Sequence, residues 1–147
     1  MPEQEVVSLD LSKKLEELGL PQQSLFYWEV PREQRKVHDG VIQIVNELPG
    51  KGNVRSRFFF YYSAFTAAEL KELLPPSIPL YKDSLDSADL RITREYNSST
   101  QTINEWCCWY QRPDTGSALV EQFGGSSMTD ALAKMLIYLL ENRLLAI

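Results

Sequence analysis

The spacing of apolar residues predicts three helices. The first covers residues 9–18, where leucines recur at helical spacing among lysines and glutamates, and it ends at Gly19. The second is short: Thr66 and Glu69 have the spacing of a capping box, and Pro75 prevents its continuation. Each helix therefore has a leucine side to bury and a charged side for water.

The longest helix is predicted near the end of the chain. Ser127 and Asp130 have the spacing of a second capping box, and the apolar pattern continues to about Leu145. The apolar stripe consists of Leu132, Met135, Leu136, Leu139 and Leu140. A stripe this regular indicates a helix packed along the core.

Six segments rich in β-branched and aromatic residues predict strands. They are residues 24–30, 41–45, 54–63, 89–96, 101–112 and 118–123. The turn residues 49–53 predict a hairpin between the second and third segments, and the last three segments form a meander that Gly124 ends. Residues 77–87 are predicted to be irregular. The pattern predicts a single α+β domain over residues 1–147: an antiparallel sheet of about six strands with a long C-terminal helix and two shorter helices.

Most of the aromatic residues fall in three of these strands, at residues 26–28, 58–62 and 106–110. Neighbouring residues of a strand point to opposite faces of the sheet, so contiguous aromatics place rings on both faces. Three helices are expected to cover one face, and a second aromatic face suits recognition. Trp28, Tyr61 and Trp109 are the candidate binding residues. The alternative is a strongly curved sheet with both aromatic layers buried.

Three segments, residues 15–28, 65–75 and 129–142, resemble a family of small uncharacterised proteins from bacteriophages, prophages and bacterial genomes. They carry the sequences LEELG and QSLFYW, then FTAAEL and LLP, and finally TDALAKMLIYLLEN. Because the likeness spans both ends and the middle, it implies that the chain is one such domain. It implies a phage or mobile-element origin, and it brings no activity, substrate or site residue.

Composition is that of a globular protein, with 44% apolar and 24% charged residues. No apolar run approaches the length of a membrane span, and the N-terminus lacks the pattern of a signal peptide, so we expect a cytoplasmic protein without a membrane partner. Cys107 and Cys108 are adjacent and would point to opposite faces of a strand, which favours two reduced thiols over a disulfide or a metal site. No metal or cofactor is predicted.

Two motifs could support a small hydrolase. Asp114 begins the Asp-Thr-Gly tripeptide of aspartic proteases, but Pro113 precedes it and the segment fits a hairpin turn. His38 is the only histidine, lies in a charged turn, and would have to meet Cys107 or Cys108 to form a nucleophilic pair. The sequence favours a non-catalytic protein.

Basic residues beside the aromatic run offer a further alternative, binding of single-stranded nucleic acid. Lys51, Arg55 and Arg57 precede the rings of residues 58–62, and bases stack on such rings. Against this, acidic residues outnumber basic ones 20 to 15 and the net charge is −5. The favoured interpretation is an interaction module that binds a protein partner or a second copy of itself through an aromatic sheet face.

Overall fold

The computed structural model describes residues 6–32, 42–50, 57–79, 87–97, 102–113, 123–125 and 127–145. Within these ranges the helices are α1 (Leu9–Glu17), α2 (Ala67–Leu73) and α3 (Met128–Glu141). The strands are β1 (Tyr27–Pro31), β2 (Gln43–Val45), β3 (Phe59–Ser63), β4 (Ser77–Pro79), β5 (Ser87–Asn97), β6 (Thr102–Gln111) and β7 (Phe123–Gly125).

The strands form two antiparallel sheets, which confirms the α+β class. One sheet has three strands in the order β2-β1-β3, and the other has four in the order β4-β5-β6-β7. The long hairpin of β5 and β6 is the centre of the larger sheet, and its register shifts at a bulge between Glu95 and Tyr96. The two sheets contact different helices: β6 and β7 of the larger sheet contact α3, and β3 of the smaller sheet contacts α1.

The hydrophobic core lies between the four-stranded sheet and the helices. Helix α3 contacts β6 and β7 on one side and α1 and α2 on the other. Tyr110 of β6 is fully buried, and its hydroxyl donates a hydrogen bond of 2.7 Å to the carbonyl oxygen of Pro75. The fully buried residues of α3 are Ala131, Leu132, Ala133, Met135, Leu136 and Leu139. The predicted stripe is therefore the buried side of α3.

The three-stranded sheet stands outside this core. Among the described residues, none of the apolar side chains of β1, β2 or β3 belongs to the core cluster or packs against it. The sheet is attached at the end near α1: helix α1 contacts β3, and the indole N–H of Trp28 donates to the carbonyl of Val7 (2.9 Å). Its faces are consequently available for other contacts.

The predicted starts of α2 and α3 are explained by side-chain caps. Thr66 Oγ1 accepts from the Glu69 amide (3.3 Å) and Glu69 Oε2 accepts from the Thr66 amide (2.8 Å), so this capping box is confirmed. At α3, Ser127 Oγ accepts from the Asp130 amide (3.1 Å), but the Asp130 carboxylate accepts instead from the amide of Ser8 (2.9 Å). The second cap thus joins two distant parts of the chain.

The ends of the helices follow from backbone conformation. Gly19 has φ 87°, a left-handed conformation that terminates α1 as predicted. Helix α3 ends at Glu141, before the predicted end at about Leu145, because Arg143 adopts φ 56° and the Leu144 amide bonds back to the carbonyl of Leu139 (2.8 Å). This reversal satisfies the last carbonyls of the helix and stops it.

Strand pairing departs from the prediction in three places. The predicted hairpin of residues 41–45 and 54–63 is wrong, because β2 and β3 each pair with β1, which lies between them. Residues 77–79 form strand β4 rather than an irregular segment, and Gly124 lies inside β7 opposite Cys107 rather than ending a strand. Short segments of this kind are specified by the edge they pair with rather than by their own sequence.

Core packing generates the first testable prediction. Replacing Leu136, which is fully buried in α3, with alanine should lower the free energy of unfolding by about 2–5 kcal/mol, because the change leaves a cavity. Leu144→Ala is the matched control, since that side chain is 49% exposed and should change stability by no more than about 0.5 kcal/mol. Urea unfolding followed by circular dichroism measures both. Equal losses would contradict the assigned core.

Candidate interaction surface on the three-stranded sheet

One face of the three-stranded sheet is apolar and largely aromatic. Trp28 of β1 lies opposite Ile44 of β2 on one side and Tyr62 of β3 on the other, while Val30 lies opposite Phe60. Because directly opposite residues share a face, these five side chains form one surface, which we call the aromatic face. Phe60 is 41% exposed and the other four are half-buried.

Two cations lie beside the rings of the aromatic face. The guanidinium carbon of Arg32 is 4.2 Å from the ring centroid of Phe60, and the ammonium nitrogen of Lys13 is 5.8 Å from that of Tyr62. The two rings are themselves neighbours, with centroids 6.4 Å apart and planes inclined by 37°. Cations at these distances are attracted by the ring faces and hold the rings in place.

The two ends of the aromatic face differ in charge. Burial is the main cause that raises the pKa of the Tyr62 hydroxyl; the nearby carboxylates of Glu16 and Glu17 raise it further, and Arg32 opposes them. Helix α1 therefore brings the carboxylates of Glu16 and Glu17, together with the ammonium of Lys13, to the end that holds Tyr62. The end that holds Phe60 carries Arg32. Arg57, which is also exposed, lies just before the start of β3.

Exposed apolar residues extend the aromatic face beyond its strands. Ile42 is 50% exposed and lies one residue before β2, in step with Ile44. Phe58 is 43% exposed and lies one residue before β3, in step with Phe60; its carbonyl accepts a hydrogen bond of 2.9 Å from the amide of Arg32. The exposed apolar surface thus continues at the end of the sheet farthest from α1.

The opposite face of the sheet is organised around a buried carboxylate. Glu29 of β1 is only 1% exposed; its Oε2 accepts from the Tyr61 hydroxyl (2.7 Å) and its Oε1 from the Gln43 side-chain amide (2.8 Å). We call these three residues the carboxylate cluster. A cleft of about 290 Å³ separates Glu29 and Tyr61 from residues 45–49. Since a carboxyl group is costly to bury without hydrogen bonds, the cluster fixes how the three strands align.

The three predicted binding residues do not converge. Trp28 belongs to the aromatic face, whereas Tyr61 lies on the opposite face in the carboxylate cluster. Trp109 is in the other sheet, opposite Arg91, and its indole N–H donates to Gln111 Oε1 (3.3 Å). All three side chains are half-buried. The pairing that brings Trp28 beside the rings of β3 leaves no signal in the sequence. The two-residue spacing of Phe60 and Tyr62, in contrast, indicates that these two rings share a face.

The candidate catalytic groups give no assembled site among the described residues. Cys108 is fully buried, its thiol donates to the carbonyl of Ala131 (3.1 Å), and burial, with a smaller effect of Cys107, raises its pKa to about 12. A thiol with this pKa stays protonated near neutral pH and is a poor nucleophile. His38 and Asp114, on which the hydrolase alternatives depend, lie outside the described residues. No three His, Cys, Asp or Glu side chains in the described ranges are grouped as metal ligands would be.

Comparisons with known proteins give no information about this surface. No protein-family profile matches the chain, and neither a curated protein nor a solved structure does. The resemblance to phage and prophage proteins accordingly stays a prediction. Among the described residues, no helix combines the length and the apolar character needed to cross a bilayer.

The carboxylate cluster generates a prediction about stability. Tyr61→Phe removes a hydrogen-bond donor from buried Glu29 and should lower the free energy of unfolding by about 1–3 kcal/mol. Tyr62→Phe removes the hydroxyl oxygen of a neighbouring residue that lies outside the carboxylate cluster. This variant should lower the free energy of unfolding by less than Tyr61→Phe does. Chemical denaturation of the two variants and the parent protein makes the comparison. A larger loss for Tyr62→Phe would contradict the role assigned to Glu29.

The buried thiols generate a prediction about reactivity. At pH 8 the folded protein should react with a disulfide reagent such as Ellman's reagent far more slowly than a free thiol, because Cys107 and Cys108 are buried and the raised pKa of Cys108 disfavours its thiolate. Two thiols should react once guanidinium unfolds the chain. Protection of Cys108 should persist as the pH rises through the ordinary thiol pKa and weaken only near 12. Rapid labelling of the folded protein at pH 8 would contradict this placement.

Proposed function

We propose that the protein is a non-catalytic interaction module that binds a protein surface through the aromatic face of its three-stranded sheet. The observation that carries the proposal is the separation of this face from the core. Trp28 donates a hydrogen bond to the carbonyl of core residue Val7, but none of the five side chains belongs to the core cluster, and exposed Phe60, Ile42 and Phe58 lie together at one end. Contiguous apolar surface of this kind is typical of interaction sites.

The chemistry of the face suits a protein partner. Aromatic side chains and arginine are the residues that contribute most to protein interfaces, because they bury a large area with few rotatable bonds and keep a polar atom. Trp28, Phe60 and Tyr62 supply the rings. Arg32 already lies over Phe60, and a hydrogen bond that its Nε–H donates to the carbonyl of Phe59 (3.3 Å) holds it there. Such a surface loses little conformational entropy when it is covered.

Single-stranded nucleic acid is the weaker alternative. Rings flanked by cations can stack bases and contact phosphates. Here, however, Glu16 and Glu17 set negative charge beside Tyr62, and the net charge of the chain is −5. Strong binding of a polyphosphate backbone needs an excess of positive charge, which the chain lacks.

Site-specific photocrosslinking tests the proposal. With p-benzoylphenylalanine in place of Phe60, we expect a discrete protein adduct in cells that produce the full chain; the same group in place of exposed Leu144 should give none. When the crosslinking is repeated in a cell extract, excess parent chain without the crosslinker should prevent the adduct, because both chains compete for the same surface of the partner. A chain carrying Phe60→Ser and Arg32→Ser should compete poorly.

Two results would overturn the proposal. One is labelling at position 60 that does not exceed the background at position 144. The other is equal competition by the parent chain and the double variant, since binding would then not depend on the aromatic face. Circular dichroism of the double variant establishes that it folds, which is expected because neither side chain contributes to the core.

A further inference from the structure

We infer that the partner supplies an extended segment of its chain, which pairs with the outer edge of β2 and continues the three-stranded sheet. This inference rests on the proposed function and names the form in which the partner meets the aromatic face. It is carried by the hydrogen-bonding groups of the backbone rather than by side chains. A sheet edge whose N–H and C=O groups are unbonded accepts another strand.

The strand register shows which way the backbone of β2 points. In an antiparallel pair, alternate residues exchange hydrogen bonds with the neighbouring strand. The Ala64 amide donates to the carbonyl of Phe26, just before β1, so the backbone groups of Trp28, two residues further on, also face β3. The residues between them face β2. Because Ile44 lies opposite Trp28, its N–H and C=O point outward, away from β1.

The outer edge of β2 is open to pairing. Among the residues that the structure describes, the outward N–H and C=O of Ile44 have no hydrogen-bond partner. Ile42, two residues earlier, continues the same alternation and is 50% exposed. Residues 42–45 contain neither a charged residue nor a proline, which are common means of preventing a sheet edge from pairing.

The other strand edges that the structure describes are occupied or obstructed. On the far side of β3, the Ser63 amide donates to Gln22 Oε1 (2.8 Å), and the Phe59 carbonyl accepts from Arg32 Nε (3.3 Å). In the larger sheet, β4 ends in Pro79, which has no N–H, and β7 contacts α3. Of the described strands, β2 is therefore the one whose edge is left for an added strand.

The form of the occupant follows from this edge. An extended backbone presents N–H and C=O groups at the spacing of a strand, whereas the backbone groups of a helix are bonded within the helix. A second copy of this chain fits less well, because its own β2 is only three residues long and would form few hydrogen bonds. An extended segment of another protein can follow residues 42–45 throughout.

The side chains on either side of β2 define the chemistry of that segment. Every second residue of an added strand would lie beside Ile42 and Ile44 and continue the aromatic face. The residues between them would lie on the opposite face, beside the exposed side chain of Gln43. The segment should therefore have apolar residues at every second position and polar residues between them.

Selection of peptides tests the inference with a defined probe. A phage-displayed library of random peptides is selected on the immobilised full chain, and the enriched sequences should alternate between apolar and polar residues. In Ile44→Pro a ring replaces the outward N–H, so the dissociation constant of a synthetic enriched peptide should rise by about tenfold or more. Ile44→Val keeps the N–H and a β-branched side chain and is the matched control, which should bind like the parent.

A second variant separates the loss of a hydrogen bond from a loss of fold. With 2-hydroxy-3-methylpentanoic acid in place of Ile44, the side chain is kept and an ester oxygen replaces the N–H. This chain should bind the peptide about threefold or more weakly than the parent. Circular dichroism compares the folds of all variants. In the parent chain, the Ile44 amide should exchange with deuterium more slowly once the peptide is bound.

The outcomes separate this inference from the proposed function. Strand addition is wrong if no peptide is enriched, if the enriched peptides have helical spacing, or if both backbone variants at position 44 bind like the parent; the aromatic face is then still tested by crosslinking at position 60. If Ile44→Pro abolishes binding but the double variant Phe60→Ser/Arg32→Ser does not, strand addition stands and the proposed function fails. If the chain forms a dimer in sedimentation equilibrium that Ile44→Pro abolishes, a second copy occupies the edge and the occupant named here is wrong.

Discussion

The packing of α3 determines how the rest of the molecule is exposed. This helix is buried along most of its length, between β6 and β7 on one side and α1 and α2 on the other. It is the longest helix among the described residues, and most of its apolar surface is buried against these neighbours. The three-stranded sheet meets α1 at one end, through β3, and among the described residues its aromatic face lies outside the core cluster.

Burial within the small sheet is achieved by polar rather than apolar contacts. Glu29 occupies the central strand, where Tyr61 and Gln43 from the two flanking strands donate to its carboxylate. A shift of either pairing by one residue would turn its donor to the opposite face and leave the Glu29 side chain without that hydrogen bond. The carboxylate cluster thus selects one alignment, and the same alignment places Trp28 between Ile44 and Tyr62 on the other face.

Much of the fold could be predicted because its signals are local. Leucine spacing located the helices, and the Thr66 cap and Gly19 marked two of their ends. The end of α3 could not be predicted, since the left-handed residue there is Arg143 rather than glycine. The order of strands in the smaller sheet could not be predicted either, because β2 and β3 are joined in sequence but meet only through β1.

The same limit applies to the candidate site. The alternation of residues along β3 correctly separates Phe60 and Tyr62 from Tyr61, so the composition of each side of that strand was readable. Which strand lies alongside it was not, and Trp28 could be assigned to the aromatic face only from the observed register. Arg32 could not be assigned to the aromatic face from the sequence, because stacking on a ring from a neighbouring strand leaves no pattern in the sequence.

The hydrogen bond from the Ser8 amide to the Asp130 carboxylate joins residues 122 positions apart, and the ion pair of Lys14 and Glu141 (3.3 Å) spans a similar distance. Closing a loop of this size is slow, so contacts of this kind delay folding. During synthesis the first helix emerges long before its partner exists. Helix α1 therefore stays undocked during synthesis until α3 has left the ribosome.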